Sequence, residues 1–213
     1  MLYEVKTLPV KLSSSRSGRI QNEGSSDYIN DKVLWEGFKS GDELAFIQIY
    51  KSYCNILYNY GCQFTYDKEL VRDCLQDFFI YLRKNKAGFG ETSSIKMYLL
   101  KAFRRRVIEY FKKTNSEIRN NKEFSFVQFS VEMSFESVYI NQQAKAEEIN
   151  KLNAALKSLD SKEREAIYYF YYEGLSYEQI ASILNFSHVS SARRVMYRGL
   201  RHLRGFLANK DRS

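Results

Sequence analysis

Apolar residues recur along this chain every three or four positions, in stretches separated by short breaks rich in Ser, Gly, Asp and Asn. That spacing lays one apolar stripe along each stretch and predicts a series of amphipathic helices. "DKVLWEGFKSGDELAFIQIYKSYCNILYNYGCQF", helical from about Tyr28, reads as two helices parted at "SGD", with Ser40-Gly41 ending the first and Asp42 capping the second. A third helix is expected over residues 67–85, then a loop at 86–94, "KAGFGETSS", then a helix carrying "YLLKAFRRRVIEYFKK". Residues 1–26 lack periodicity and read as a flexible tail. Residues 115–143 lose the helical period, with Phe, Ser and Val alternating loosely, and read as an extended linker whose aromatics lie against something.

Helical spacing resumes near Ala144, with Leu152, Leu156 and Leu159 on one apolar edge. Asp160 and Glu163 stand as a capping box, and Ala166, Ile167, Phe170 and Tyr171 form the expected buried stripe of the helix that follows. Gly174 sits where a left-handed C-cap residue is wanted. Ser176 and Gln179 make a second capping box for a short helix, flanked by Leu175 and Ile180 as a hydrophobic staple. Asn185, a residue that tolerates positive φ, precedes a last long helix from Val189 or Ser190. Two short helices joined by a tight turn, the second strongly basic, are a helix-turn-helix signature. The fold class expected is therefore all-α: a helical N-terminal bundle over 27–114 and a helix-turn-helix domain over 144–208, joined by the linker, with 209–213 as a tail.

Stepping 100° per residue sorts the last helix into two faces. Val189, Ala192, Val195, Met196, Gly199, Leu203, Phe206 and Leu207 share one side. Ser190, Arg193, Arg194, Tyr197, Arg198, Arg201 and Arg204 share the other. Ser190, Ser191, Arg193, Arg194 and Tyr197 are placed to reach base edges in a major groove, and Arg198, Arg201 and Arg204 to meet phosphates. On the helix at 96–113, Leu99, Leu100, Phe103, Val107 and Tyr110 fall together; opposite lie Lys101, Arg105, Lys112 and the aromatic Tyr98, with Arg104 at the edge. Cations around an exposed ring suit a single strand of nucleic acid, because bases stack on the ring while charges follow the backbone. The helix before it carries a polar, acidic stripe, Glu69, Asp73, Gln76 and Asp77, opposite Val71, Cys74, Leu75, Phe78 and Leu82; that stripe is a candidate protein-docking surface. A solvated face is the bland alternative for each of these charge patterns.

Charge distribution sharpens the picture. The 213 residues carry a net +8, yet residues 96–113 and 187–213 each hold seven Lys/Arg against one acidic residue. Two basic segments on an otherwise mildly acidic chain suit a polyanion held at two places. A single Pro and ten Gly disfavour a turn-dense β fold. Cys54, Cys62 and Cys74 are odd in number, form no CxxC and lie in helical pattern, so buried reduced thiols of a cytoplasmic protein are expected. His188 and His202 stand apart from any Cys pair, so no zinc site, and no other metal or cofactor, is expected. No apolar run is long enough for a membrane helix, so no membrane insertion is expected.

"GDELAFIQIYKSY", "VRDCLQDFFIYL" and "YLLKAFRRRVIEYFKK" together resemble region 2 of the sigma-70 family of transcription initiation factors. "LKSLDSKEREAIYYFYYEGLSYEQIASILNFS" with the basic helix after it resembles region 4. With nothing recognisable between them, the arrangement is similar to the extracytoplasmic-function group. The resemblance implies a sigma factor that binds core RNA polymerase and directs promoter recognition and melting. Asp73, Gln76 and Asp77 would meet the β′ clamp helices, with the β flap a further polymerase contact. Tyr98, Lys101, Arg104, Arg105 and Lys112 would hold the melted minus-ten strand. Gly88, Phe89, Gly90, Glu91, Thr92 and Ser93 match the loop that holds a flipped base, and Ser190, Ser191, Arg193, Arg194, Tyr197 and Arg198 would sit on minus-thirty-five duplex. Promoter DNA and an anti-sigma factor are the other implied partners.

Two rival classes compete with this reading. A helix-turn-helix repressor or activator would bind duplex without polymerase, and the acidic stripe at 69–77 speaks against it. An enzyme is disfavoured because Gly88-x-Gly90 lacks the Lys of a phosphate loop and no Ser/His/Asp or Cys/His grouping is legible.

Overall fold

The computed structural model describes residues 24–117, 129–130 and 142–210. Most of the expected tail and linker therefore falls outside the described residues. Within them the chain is helical, with no strand: α1 (Gly24–Ser40), α2 (Glu43–Gly61), α3 (Lys68–Lys84), a 3-10 turn (Lys86–Gly88), α4 (Ile95–Glu117), α5 (Gln142–Ser158), α6 (Ser161–Tyr171), α7 (Tyr177–Ile183) and α8 (Val189–Lys210). Helix α1 begins ahead of the expected start at Tyr28, and α4 and α5 each reach into the segment expected to be linker.

Local chemistry sets the helix ends. Gly41 turns the chain at φ 102°, and Asp42 accepts from the Leu44 amide at 2.8 Å to start α2. Asp67 accepts from the Glu69 and Leu70 amides to start α3. Both expected capping boxes form, Asp160 with Glu163 on α6 and Ser176 with Gln179 on α7. Gly174 at φ 65° and Asn185 at φ 56° make the two turns on either side of α7, conformations open to Gly and tolerated by Asn.

Helices α1–α4 wrap a core of Trp35, Ile49, Leu57, Phe78, Leu99 and Phe103, while Leu156, Ile167, Ile180, Ala192 and Met196 fill the core of α5–α8. Gly199 lets α8 approach α6 closely: a Cβ there would stand 3.1 Å from Ile167 Cδ1 and 3.3 Å from Glu163 Cβ.

The two bundles also pack on each other, α4 against α6 and α7, and their buried residues form one continuous cluster. This changes α6. The expected stripe of Ala166, Ile167, Phe170 and Tyr171 holds for the first two; Phe170 is half-buried and Tyr171 is 59% exposed. Glu163, Arg164, Glu165, Tyr168 and Tyr169 are buried instead. A helix with neighbours on two sides has no single apolar face, so one-stripe reasoning misassigns it.

Candidate nucleic-acid and protein interfaces

Helix α4 buries Leu99, Leu100, Phe103 and Val107 as expected, and three of its cations, Lys96, Lys101 and Arg104, turn toward the C-terminal bundle. There they meet partners. Lys101 Nζ lies 3.0 Å from Ser182 Oγ. Lys96 Nζ reaches the backbone oxygen and the carboxylate of Glu173, each at 2.7 Å. Arg104 donates from Nε and Nη2 to the two carboxylate oxygens of Glu165, at 2.6 and 3.1 Å. Burial disfavours the Arg104 charge, but Glu165 outweighs it and holds the guanidinium above its ordinary range. Arg105 is exposed and makes no ion pair among the described residues, and the Lys112 side chain lies outside them.

Tyr98 differs from the exposed ring expected. It is half-buried, packed 4.8 Å from the Trp35 ring and 5.9 Å from Phe89, and burial raises its phenol pKa. Trp35 is the residue the pattern did not single out. Its ring is 1% exposed, and its Nε1 donates to Gly90 O at 2.9 Å, tying α1 to the 86–94 loop. Phe89 turns inward against Trp35, Phe38, Tyr81 and Tyr98. Thr92 Oγ1 accepts from the Ser94 amide, and Asp31 accepts from the Ile95 amide at 2.8 Å, fixing the start of α4. Gly88, Gly90, Glu91 and Ser93 face outward. The one signal for this arrangement in the sequence was the chain's only Trp, placed on an apolar stripe.

On α3, Asp73, Gln76 and Asp77 are all exposed, beside the exposed Glu69–Arg72 pair. A groove between α2 and α3 runs next to them, lined by Phe46, Tyr50, Tyr58, Leu75, Phe79 and Ile80. Leu44 and Ile47 lie exposed on the same helix. The sequence offered a hint: "LAFIQIY" holds more apolar residues than a single stripe needs.

On the helix-turn-helix, Ser190, Arg193, Arg194 and Tyr197 are exposed, Tyr197 at 70%, while Ser191 is half-buried. Arg193 lies over the Tyr177 ring and 3.9 Å from Glu178. Arg194, Arg201 and Arg204 are exposed and make no ion pair among the described residues. Arg198 is different. Its Nε pairs with Glu163 and its Nη2 with Asp160 at 2.6 Å. Burial alone would raise the Glu163 pKa, but bonds from Arg198, the Asp160 amide and His202 hold it below the usual carboxylate range. Arg198 thus secures α8 to α6 inside the domain.

Of the three cysteines Cys74 is buried, with its thiol pushed up to about 12 by that burial, whereas Cys54 and Cys62 are half-buried. Among the described residues no helix is long and apolar enough to cross a membrane.

Residues 149–203 match the family model described as sigma-70, region 4. Over 159 residues, 74% of this chain, the sequence is 25% identical to the ECF RNA polymerase sigma factor SigM of Bacillus subtilis (strain 168), covering 91% of that protein. It is 27% identical to SigX of the same organism over 76% of this chain and 83% of SigX. Among solved structures, CnrH in complex with the cytosolic domain of CnrY shares the fold at a TM-score of 0.57 and 19% identity, covering 84% of this chain and 97% of that one. RpoE in complex with the anti-sigma factor NepR from Bartonella quintana does so at 0.57 and 18%, covering 76% and 96%.

Proposed function

The chain belongs to the extracytoplasmic-function group of the sigma-70 family, and from that premise we propose how its surfaces divide the work of starting transcription in the cytoplasm. Core RNA polymerase docks on α3 through Asp73, Gln76 and Asp77, with the apolar α2–α3 groove completing the contact. The outer face of α8 reads minus-thirty-five duplex through Ser190, Arg193, Arg194 and Tyr197. The face of α4 takes the melted minus-ten strand, with the Trp35-anchored 86–94 loop beside it. The observation that carries this reading is the region 4 match, which falls on a helix-turn-helix whose cations point outward. The chain's role is binding rather than catalysis.

The chain does not open DNA alone. Separating about ten base-pair steps costs roughly 14 kcal/mol at about 1.4 per step. Capturing two or three bases returns at most about 9 kcal/mol at roughly 1–3 each. Core polymerase supplies the difference, by further contacts and by holding the two bundles at promoter spacing. An anti-sigma factor is a further partner on this reading.

The test is transcription in vitro with purified core polymerase and a pool of genomic templates. Co-elution with core and run-off transcripts from a shared promoter sequence are expected. Tight duplex binding with neither core association nor transcripts would return the chain to the repressor class.

A further inference from the structure

Helix α7 carries one aromatic side chain, Tyr177, and it sits against α8. Tyr177 is the first residue of α7, and the capping box fixes it there: Ser176 Oγ accepts from the Gln179 amide at 3.3 Å, and Gln179 Oε1 accepts from the Ser176 amide at 2.9 Å. Half-buried, its ring stacks on Phe170 of α6, with centroids 5.1 Å apart and planes at 26°. Arg193 of α8 lies over the same ring, its guanidinium carbon 5.7 Å from the centroid. Three helices therefore build one stack of Phe170, Tyr177 and Arg193. Glu178, the next residue of α7, stands 3.9 Å from Arg193 Nη2. Bonds from its own amide and from Ser176, with the Arg193 charge, hold Glu178 below the usual carboxylate range, so it is ionised beside that guanidinium at neutral pH.

Arg193 lies in the first turns of α8, the part of a recognition helix that meets base edges. The other arginines of that face are held differently. Arg194, Arg201 and Arg204 are exposed and make no ion pair or ring contact among the described residues, and Arg198 is bound to Glu163 and Asp160. A free surface arginine samples many rotamers, and ordering it for a bidentate contact costs entropy. An aromatic plane fits the flat guanidinium and restricts those rotamers, while the donors around its rim stay available.

We infer that Tyr177 is a positioning residue for sequence readout: its ring, backed by Phe170, holds the Arg193 guanidinium in the orientation that reads one base pair of the minus-thirty-five duplex. The inference rests on the assignment of the outer face of α8 to that duplex. Tyr177 acts through Arg193, not through its own hydroxyl on the DNA backbone.

The experiment uses the full chain bound to core polymerase, in competition binding against promoter fragments that carry every single base-pair change in the minus-thirty-five element. R193A identifies the base pair that Arg193 reads, where discrimination should fall at least about fivefold. Y177L is expected to lose about two- to fivefold at that same base pair, the range of an exposed cation–π contact, with other positions and unrelated duplex unchanged. Y177F, which keeps the ring and lacks the hydroxyl, should discriminate as wild type does. The Y177L/R193A double variant should match R193A. Urea unfolding checks each variant, and Y177M takes the place of Y177L should that variant not fold. Wild-type discrimination by folded Y177L or Y177M overturns the inference. A loss in Y177F equal to that in Y177L overturns it too, as does a loss in the double variant beyond that of R193A. A flat R193A profile with transcription intact refutes instead the placement of Arg193 on the bases, so the two failures are distinguishable.

Discussion

Arg198 sits on the cationic face of α8, where spacing alone gives it to DNA, but the structure spends it inside the domain. Its guanidinium bonds Glu163, whose side chain is 1% exposed, and Asp160. Arg198→Ala leaves that buried carboxylate with the Asp160 amide at 3.2 Å and His202 Nδ1 at 3.1 Å. Breaking a fully buried pair costs about 3–5 kcal/mol. The Arg198 side chain is 42% exposed, so water reaches the vacated site and the expected loss falls to about 1–3 kcal/mol. For a chain of this size that lowers Tm by roughly 2–12 °C. Arg194→Ala should do the reverse. Exposed and without an ion pair, Arg194 can be removed with a stability change within about 0.5 kcal/mol. If it meets a phosphate, the slope of log K against log salt becomes shallower by about 0.9.

Urea unfolding and duplex anisotropy across a KCl series separate the two residues. The reasoning is refuted if R198A unfolds at the wild-type midpoint and flattens the salt slope as R194A does. The pH dependence gives a second check. Glu163 is held below its unfolded pKa of about 4.3, so its contribution is fully present above that value and lost as pH falls through the folded pKa. The stability gap between wild type and R198A should therefore narrow as pH falls below the unfolded value of about 4.3.

Three further outcomes follow from individual contacts. Buried Arg164 donates to Phe129 O and Leu159 O at 2.6 Å each and to Lys157 O at 3.1 Å; Arg164→Met strands those acceptors and should cost about 2–4 kcal/mol in urea unfolding, net of relief from burying a charge. Trp35→Phe keeps most of the ring but loses the bond to Gly90 O, so amides at 86–94 should exchange faster with solvent and discrimination among minus-ten sequences by the polymerase complex should weaken, at a stability cost of about 1 kcal/mol. With its thiol at about 12, Cys74 should be the slowest cysteine to react with a disulfide reagent at pH 8, read by mass spectrometry; modification of Cys74 ahead of Cys54 would refute its burial.

The helix ends were legible because each depends on a few adjacent residues. Asp67 needs only the amides two and three positions on, and the Asp160–Glu163 and Ser176–Gln179 boxes close within one turn. The core faces of α3 and α8 were legible for a similar reason, since each helix rests on one side of its own bundle; the core face of α4 was legible because its second neighbours, α6 and α7, meet its polar side. Helix α6 was not, because it is buried from two directions and the second neighbour lies about a hundred residues away, as the Tyr60–Glu165 bond shows.

The candidate site was legible in residue type and only partly in state. Arg104 and Arg105 are adjacent and chemically identical, yet one is bound to a buried carboxylate and the other is exposed. A periodic wheel separates them by 100° and cannot say which direction holds a partner. The same guanidinium geometry that fits a phosphate fits a carboxylate, so a cationic face written for DNA is also one that an acidic residue elsewhere in the chain can occupy. Glu165 lies in "SKEREAIYYF" among other charged residues and gives no local sign of that role. Which of two neighbouring cations holds a partner is therefore a property of the folded pair of bundles, since the carboxylate that Arg104 meets lies on α6.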